Sequence, residues 1–222
     1  MNKRKILITI LLIAIIAILA FLAFTIREMI TLKNLNKKVA QYVNNNEHYE
    51  KIINDSGNTT TITEYYCKGN NAVLFLNTTL KDTEETRKLT NYFKGDKVNS
   101  YIESGEDKIA LLNTNGVPSK VMIRQVDAGN NLWELFLMAL ATSIRSEEYN
   151  GKDCYVLSLG ETSKTYIDKE TGLILKAVEG TVVDENGNES VQTMEYHYEF
   201  DNVDDNIFVE PDISEYKIQE NN

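Results

Sequence analysis

The chain reads as an α+β protein: an N-terminal transmembrane helix, then a curved antiparallel β-sheet (a half-barrel) with an apolar helix packed on its concave face. Three observations carry that reading. Residues 6–26 run without a charge, short strand-like runs separated by turn signals fill most of the remaining chain, and one fully apolar segment at 132–144 interrupts them.

Met1-Asn2-Lys3-Arg4-Lys5 is basic, and Ile6 to Ile26 follows with only Thr9 and Thr25 as polar interruptions. A helix rises ~1.5 Å per residue, so these 21 residues extend ~30 Å, the thickness of the hydrocarbon layer. The competing reading is a cleaved secretory signal, whose apolar part runs ~7–15 residues before a small-residue site. Ile18-Leu19-Ala20 offers such a site, but Phe21-Leu22-Ala23-Phe24 stays apolar beyond it, and no Cys is at hand for lipid attachment. The expected organisation is a cytoplasmic tail at 1–5, a signal anchor at 6–26 that holds the chain in the cell membrane, a stalk or first domain helix at 27–46, and an extracytoplasmic domain at 47–222. Lys3, Arg4 and Lys5 favour a cytoplasmic N-terminus, while Arg27, Lys33, Lys37 and Lys38 on the other flank weaken the charge bias. The expected topology is single-pass with the long C-terminal part outside, because long domains translocate largely regardless of charge.

Behind the span, Met29, Leu32, Leu35, Val39 and Tyr42/Val43 recur at steps of three and four, the spacing of a helix with one apolar face. Asn44-Asn45-Asn46 ends it. The period then changes. Thr59 to Cys67, Ala72 to Leu80, Thr86 to Phe93, Val98 to Glu103 and Lys108 to Asn113 are rich in Thr, Tyr, Val, Ile and Leu, with Lys-Gly-Asn-Asn, Lys-Gly-Asp-Lys and Ser-Gly-Glu-Asp among the turns between them. Such spacing predicts an antiparallel meander.

Leu132 to Ile144 has helix-forming composition, with Asn130 or Asn131 to cap its start. It is apolar on almost every side yet too short to cross a bilayer. Cover on nearly all sides is therefore expected, with Trp133, Phe136 and Leu140 deeply buried and the sheet wrapped around them. Strands resume at 152–159, 163–167, 173–183 and 191–200, with Gly172 in the hairpin that joins the second to the third. In the last strand Met194, Tyr196, Tyr198 and Phe200 alternate with Glu195, His197, Glu199 and Asp201, so it is half buried. Residues 206–216, with Pro211, read as a closing edge segment.

Charge and motifs narrow the function. The whole chain carries −10, and without Lys3, Arg4 and Lys5 the remainder carries −13, which disfavours nucleic acid and anionic headgroups as partners. The 24 asparagines fit an AT-rich genome and a Gram-positive source. Catalytic, metal and cofactor motifs are missing: no G-x-S-x-G, H-E-x-x-H, Walker A loop, G-x-G-x-x-G or C-x-x-C occurs. His48 sits in a polar Asn/Glu stretch and His197 on the polar face of a strand between two glutamates, where the expected reading is a solvated strand position and the alternative is a general base. Asp204-Asp205 and Asp184-Glu185 read as turns, and Asn58, Asn77 and Asn188 open glycosylation triplets of the kind that arise by chance in an Asn-rich chain. Cys67 and Cys154, both on expected strands outside the membrane, suggest a disulfide; the alternative is two separate buried thiols.

An N-terminal helix, a long meander and a mid-chain apolar helix precede Asn150-Gly151-Lys152-Asp153-Cys154-Tyr155-Val156-Leu157, Tyr166-Ile167-Asp168-Lys169-Glu170-Thr171-Gly172-Leu173-Ile174-Leu175-Lys176 and Phe208-Val209-Glu210-Pro211. Over residues 30–216 this order resembles the LolA-like lipoprotein-carrier superfamily, here as a membrane-anchored, Gram-positive-type member. The resemblance implies an open half-barrel whose concave face holds helices and, in some members, acyl chains, and it transfers no binding residue one by one. A carrier must be released from membranes, whereas this chain is tethered. The leading expectation is thus a non-enzymatic domain binding a lipid or lipidated protein, with Trp133, Phe136, Leu140, Tyr196, Tyr198 and Phe200 facing the ligand. The alternative is a protein-interaction or sensor module with a closed core and an extracytoplasmic protein partner. A hydrolase comes third.

Overall fold

The apolar run and the segment behind it form one unbroken helix, α1 (Lys3–Val43). The computed structural model describes residues 3–43, 45–116, 123–124, 126, 131–160, 162–183 and 189–219. Asn44, Asn130, Asp184, Glu185 and Asn188, named above, lie outside them. No Gly or Pro falls in α1, and Thr9, Thr25 and Thr31 fold their hydroxyls back onto the carbonyls of Lys5, Phe21 and Arg27 at 3.0 Å, so its three β-branched polar residues do not break it. The helix has two characters. Every Ile, Leu and Phe from Ile6 to Phe24 is exposed, whereas Thr25, Glu28, Leu32, Leu35 and Val39 form a buried stripe at three- and four-residue steps.

That stripe lies on a sheet of twelve strands, open and curved. The chain enters it through β1 (Glu47–Asp55), β2 (Thr59–Lys68), β3 (Asn71–Leu80), β4 (Thr86–Lys94), β5 (Lys97–Ser104) and β6 (Asp107–Asn115). After α2 (Leu132–Ala141) come β7 (Thr142–Tyr149), β8 (Lys152–Leu159), β9 (Ser163–Asp168), β10 (Ile174–Val183), β11 (Glu189–Phe200) and, last, β12 (Lys217–Gln219). The order is β12-β6-β5-β4-β3-β2-β1-β11-β10-β9-β8-β7. Two meanders meet where β1 pairs with β11, and β12 alone runs parallel to its neighbour, which makes the sheet mixed.

Each face has its own core. On the helix face, Leu32 and Leu35 of α1 and Leu135 and Ala139 of α2 pack on Leu157, Ile167, Ile174, Ala177, Met194 and Tyr196. On the opposite face a ladder of aromatic rings crosses the strands: Tyr49–Tyr66 (4.6 Å), Tyr66–Phe75 (5.9 Å), Phe75–Tyr92 (6.4 Å), Tyr92–Tyr101 (5.7 Å) and Tyr101–Tyr216 (5.2 Å). The C-terminal segment straps this ladder, with Phe208 and Tyr216 packed on Val73, Tyr92, Tyr101 and Ala110. Its clasp is Glu210, which accepts hydrogen bonds from Asn99 and Tyr101 at 2.7 Å and Lys94 at 2.8 Å. Burial opposes ionisation of Glu210, but these three donors outweigh it and hold the carboxyl below the usual glutamate range. Glu210→Ala should therefore cost ~2 kcal/mol in urea unfolding, since hydrogen bonds to a charged group are lost and Tyr101 is left unpaired.

One element goes unread in the sequence and three expectations are corrected. The unread element is 47–55, Glu-His-Tyr-Glu-Lys-Ile-Ile-Asn-Asp, which is a central strand. The apolar helix stops at Ala141, and 142–149 is the outermost strand beside β8. The sheet does not wrap α2: Trp133 is 65% exposed and Leu140 42%, because α1 already occupies the concave face and leaves α2 at its margin. No disulfide forms. Cys67 and Cys154 are free thiols on β2 and β8, separated by β1, β11, β10 and β9 and set on opposite faces by strand alternation. At ~4.8 Å per strand they lie roughly 20 Å or more apart along the sheet, far beyond the ~7 Å Cα separation a bridge tolerates.

Candidate functional site

Two hollows adjoin the C-terminal end of α2. Asn131 caps the helix by accepting the N–H groups of Trp133 and Glu134 (3.0 and 2.9 Å), and the Thr142 hydroxyl closes it on the Met138 carbonyl at 2.7 Å. The chain then turns directly into β7, where Glu28 of α1 accepts the N–H of Ile144 at 3.2 Å. This junction holds α2 across the ends of β8 and β9.

The first hollow lies on the sheet side. It measures about 310 Å³ and is lined by Val126, Met138, Ala141, Thr142, Leu157, Leu159, Ser163, Thr165 and Ile174. Among the described residues no charged side chain lines it, and its polar side chains are Thr142, Ser163 and Thr165. The volume is at the small end of ligand pockets, ~300–1,000 Å³. The second hollow, about 330 Å³, lies between α2 and α1, with Phe21, Phe24, Thr25 and Glu28 on one wall and Ala139, Leu140, Ala141 and Thr142 on the other. Ala141 and Thr142 are shared, so one turn of chain separates them.

The aromatic residues singled out from the sequence fall into two separate groups. Tyr196, Tyr198 and Phe200 stack along β11 at 6.4 and 6.5 Å beneath α1, with Phe200 against Tyr42 at 4.7 Å. Trp133 and Phe136 stack on each other at 5.7 Å on α2. Leu140 lines the second hollow, and none of the six lines the first. Met138, Leu157, Leu159 and Ile174, which do, were unmarked in sequence; the Tyr-Val-Leu-Ser-Leu alternation of β8 is the one signal that points to them.

A buried polar group was also missed. His48 and Glu50 are each 1% exposed and face α1 and Tyr198. The Nδ1 of His48 donates to the Asn45 carbonyl at 3.1 Å, which fixes the tautomer. Neither oxygen of Glu50, nor Nε2 of His48, nor the Tyr198 hydroxyl has a hydrogen-bond partner among the described residues. Burial pushes the Glu50 carboxyl up to about 7, against a smaller pull from the Arg124 guanidinium, and burial lowers the His48 pKa. His197, by contrast, is exposed on the other face beside Glu199 at 3.0 Å, as expected. Its ring also meets the edge of Tyr49.

No family model matches the chain, and no curated protein matches it. Among solved structures it is similar to MucB in complex with the periplasmic part of MucA (9% identity, TM-score 0.34, 82% of this chain and 60% of that one). It is also similar to MucB alone (12%, 0.35, 82% and 63%) and to an uncharacterized conserved protein from Thermus thermophilus (9%, 0.44, 85% and 98%). The chain thus spans about three fifths of MucB. At these scores the likeness concerns the general run of the chain alone.

Proposed function

We propose that the protein is a membrane-tethered extracytoplasmic domain that binds the acyl chain of a lipid or lipidated protein in the hollow between α2 and β8–β10. The carrying observation is that hollow: apolar, without a charged lining residue among the described residues, and one turn of chain from a helix long and apolar enough to cross a bilayer. Residues 6–26 span the membrane, with residues 1–5 cytoplasmic and the sheet on the outer face, as suits a Gram-positive cell surface. Burying an acyl chain against Met138, Leu157 and Ile174 gains ~0.8 kcal/mol per methylene, whereas a charged ligand finds no charged partner among the described lining residues.

The test is photolabelling of the full-length protein with a diazirine-bearing fatty acid. Labelled peptides should contain Met138 or Leu157, and Ser163→Trp, which fills the hollow from its rim, should remove that label. Labelling that is absent, or indifferent to Ser163→Trp, would leave the second reading, a protein-interaction module. One observation favours that reading: β7 is an open sheet edge, although Arg145, Glu147 and Glu148 blunt it against casual pairing.

A further inference from the structure

Helix α2 is apolar apart from Glu134 in its first turn, yet the described residues cover only one of its sides. Leu135 and Ala139 are buried against α1 and the sheet. On the opposite side Trp133, Leu137 and Leu140 are 65%, 46% and 42% exposed, at i, i+4 and i+7 of a single face. An exposed apolar stripe of this kind marks a surface that another medium covers.

The geometry of α1 identifies that medium. Because α1 is continuous from Lys3 to Val43, the level of α2 along the spanning helix is fixed. Leu140 shares a hollow with Phe21 and Phe24, the last bare turns of the apolar run. These residues are exposed like the rest of the span, so whatever bathes them bathes the adjoining stripe of α2. The level also suits a tryptophan, whose ring favours the headgroup region of a bilayer. We propose that α2 is a second membrane contact, lying in the headgroup–acyl boundary of the outer leaflet with Trp133, Leu137 and Leu140 toward the lipid. This inference rests on reading residues 6–26 as a retained span. It accounts for a helix at the margin of the fold whose one charged residue is Glu134 in its first turn, covered by protein on one side and by lipid on the other. A second copy is a poorer occupant, since a stable dimer needs ~800 Å² per partner and α2 exposes only four large apolar side chains, Leu132, Trp133, Leu137 and Leu140.

Trp133 is the one tryptophan of the chain, so its emission reports this face alone. The full-length protein is reconstituted into phosphatidylcholine–phosphatidylglycerol vesicles, with nitroxide-labelled lipids quenching from either a shallow or a deep position and acrylamide quenching from water. The expected result is blue-shifted emission, protection from acrylamide, and loss of most of the emission to the shallow probe. Leu137→Glu, at an exposed position, should weaken shallow quenching several-fold while the chain stays in the membrane. Emission quenched by acrylamide and indifferent to lipid probes would overturn the inference. Protection from both quenchers would overturn it too, and would point to a second copy on this face. Carbonate extraction and intact mass of the same sample separate the two readings. A chain that stays in the membrane with Trp133 in water overturns this inference alone, whereas a chain washed free overturns the span reading and this inference with it.

Discussion

Valine at Gly172 is expected to unseat α1 from the sheet and to lower stability by about 3–5 kcal/mol. Gly172 has φ +78°, and a Cβ there would stand 2.6 Å from the Leu35 carbonyl oxygen and 3.1 Å from both the Val39 nitrogen and Lys38 Cβ. The left-handed backbone alone costs an L-residue ~1–2 kcal/mol, and forcing two backbones apart adds ~1–3 kcal/mol. Neither term can relax cheaply. The hairpin is fixed by Asp168 N–H to the Leu173 carbonyl and Gly172 N–H to the Asp168 carbonyl, both 2.9 Å, and Lys38 donates to the Lys169 carbonyl across the same contact. Leu32→Ala probes the same seat from the helix side. Leu32 is wholly buried, and its truncation should cost ~2–5 kcal/mol through lost transfer energy and the cavity left behind. Urea unfolding of the full-length chain in mild detergent measures both. If both variants match the parent within ~1 kcal/mol, residues 27–46 are a stalk; if both lose stability as stated, they are the first helix of the domain.

The sequence was legible wherever burial followed polarity. The stripe of Leu32, Leu35 and Val39, the turns at Gly69, Gly95 and Gly105, and the alternation of β11 each place apolar groups inside and charges outside, so period and composition agree. The misses share one cause, which is chemistry on the unexpected side of a surface. β1 was unread because His48 and Glu50, two of its charge-bearing residues, point into the core rather than to water. For α2 the error runs in the opposite sense: apolarity on almost every side implies cover without naming what covers, and α1 fills the concave face. Pairing between distant strands was also invisible. That β1 meets β11, and that Cys67 and Cys154 end on opposite faces, depends on how the two meanders join, which no local period records. The apolar hollow follows from the same junction, since Met138, Leu157 and Ile174 come from three elements brought together only by it.

Glutamine at Glu50 is expected to abolish a loss of about 3 kcal/mol that the parent suffers as pH rises from 4.5 to 7. Burial raises the folded-state pKa of Glu50 from 4.5 to about 7, so between those values the folded protein holds a proton that the unfolded chain has released. Stability is therefore fully present below 4.5, declines through this window, and has lost the whole contribution above it. With each pKa unit worth ~1.4 kcal/mol, the total is about 3 kcal/mol, and at 1% exposure there is little solvent to screen it. His48, two residues away on the same face, acts in the opposite sense. Its folded pKa lies below 6.5, so acidification below that value charges the unfolded chain first and costs stability. The two slopes overlap in the parent, and only the difference between parent and Glu50→Gln isolates the carboxyl. An unpaired glutamine amide adds a cost of ~1–3 kcal/mol, but that cost is independent of pH and shifts the difference curve without tilting it. Urea unfolding of both proteins from about pH 4 to about pH 8 should show the variant gaining on the parent by about 3 kcal/mol across the range. A flat difference would mean that Glu50 titrates in the folded protein where it does in the unfolded chain, with the Arg124 guanidinium offsetting desolvation, and that it is ionised at neutral pH. The core beneath α1 would then contain an ion pair rather than a neutral acid.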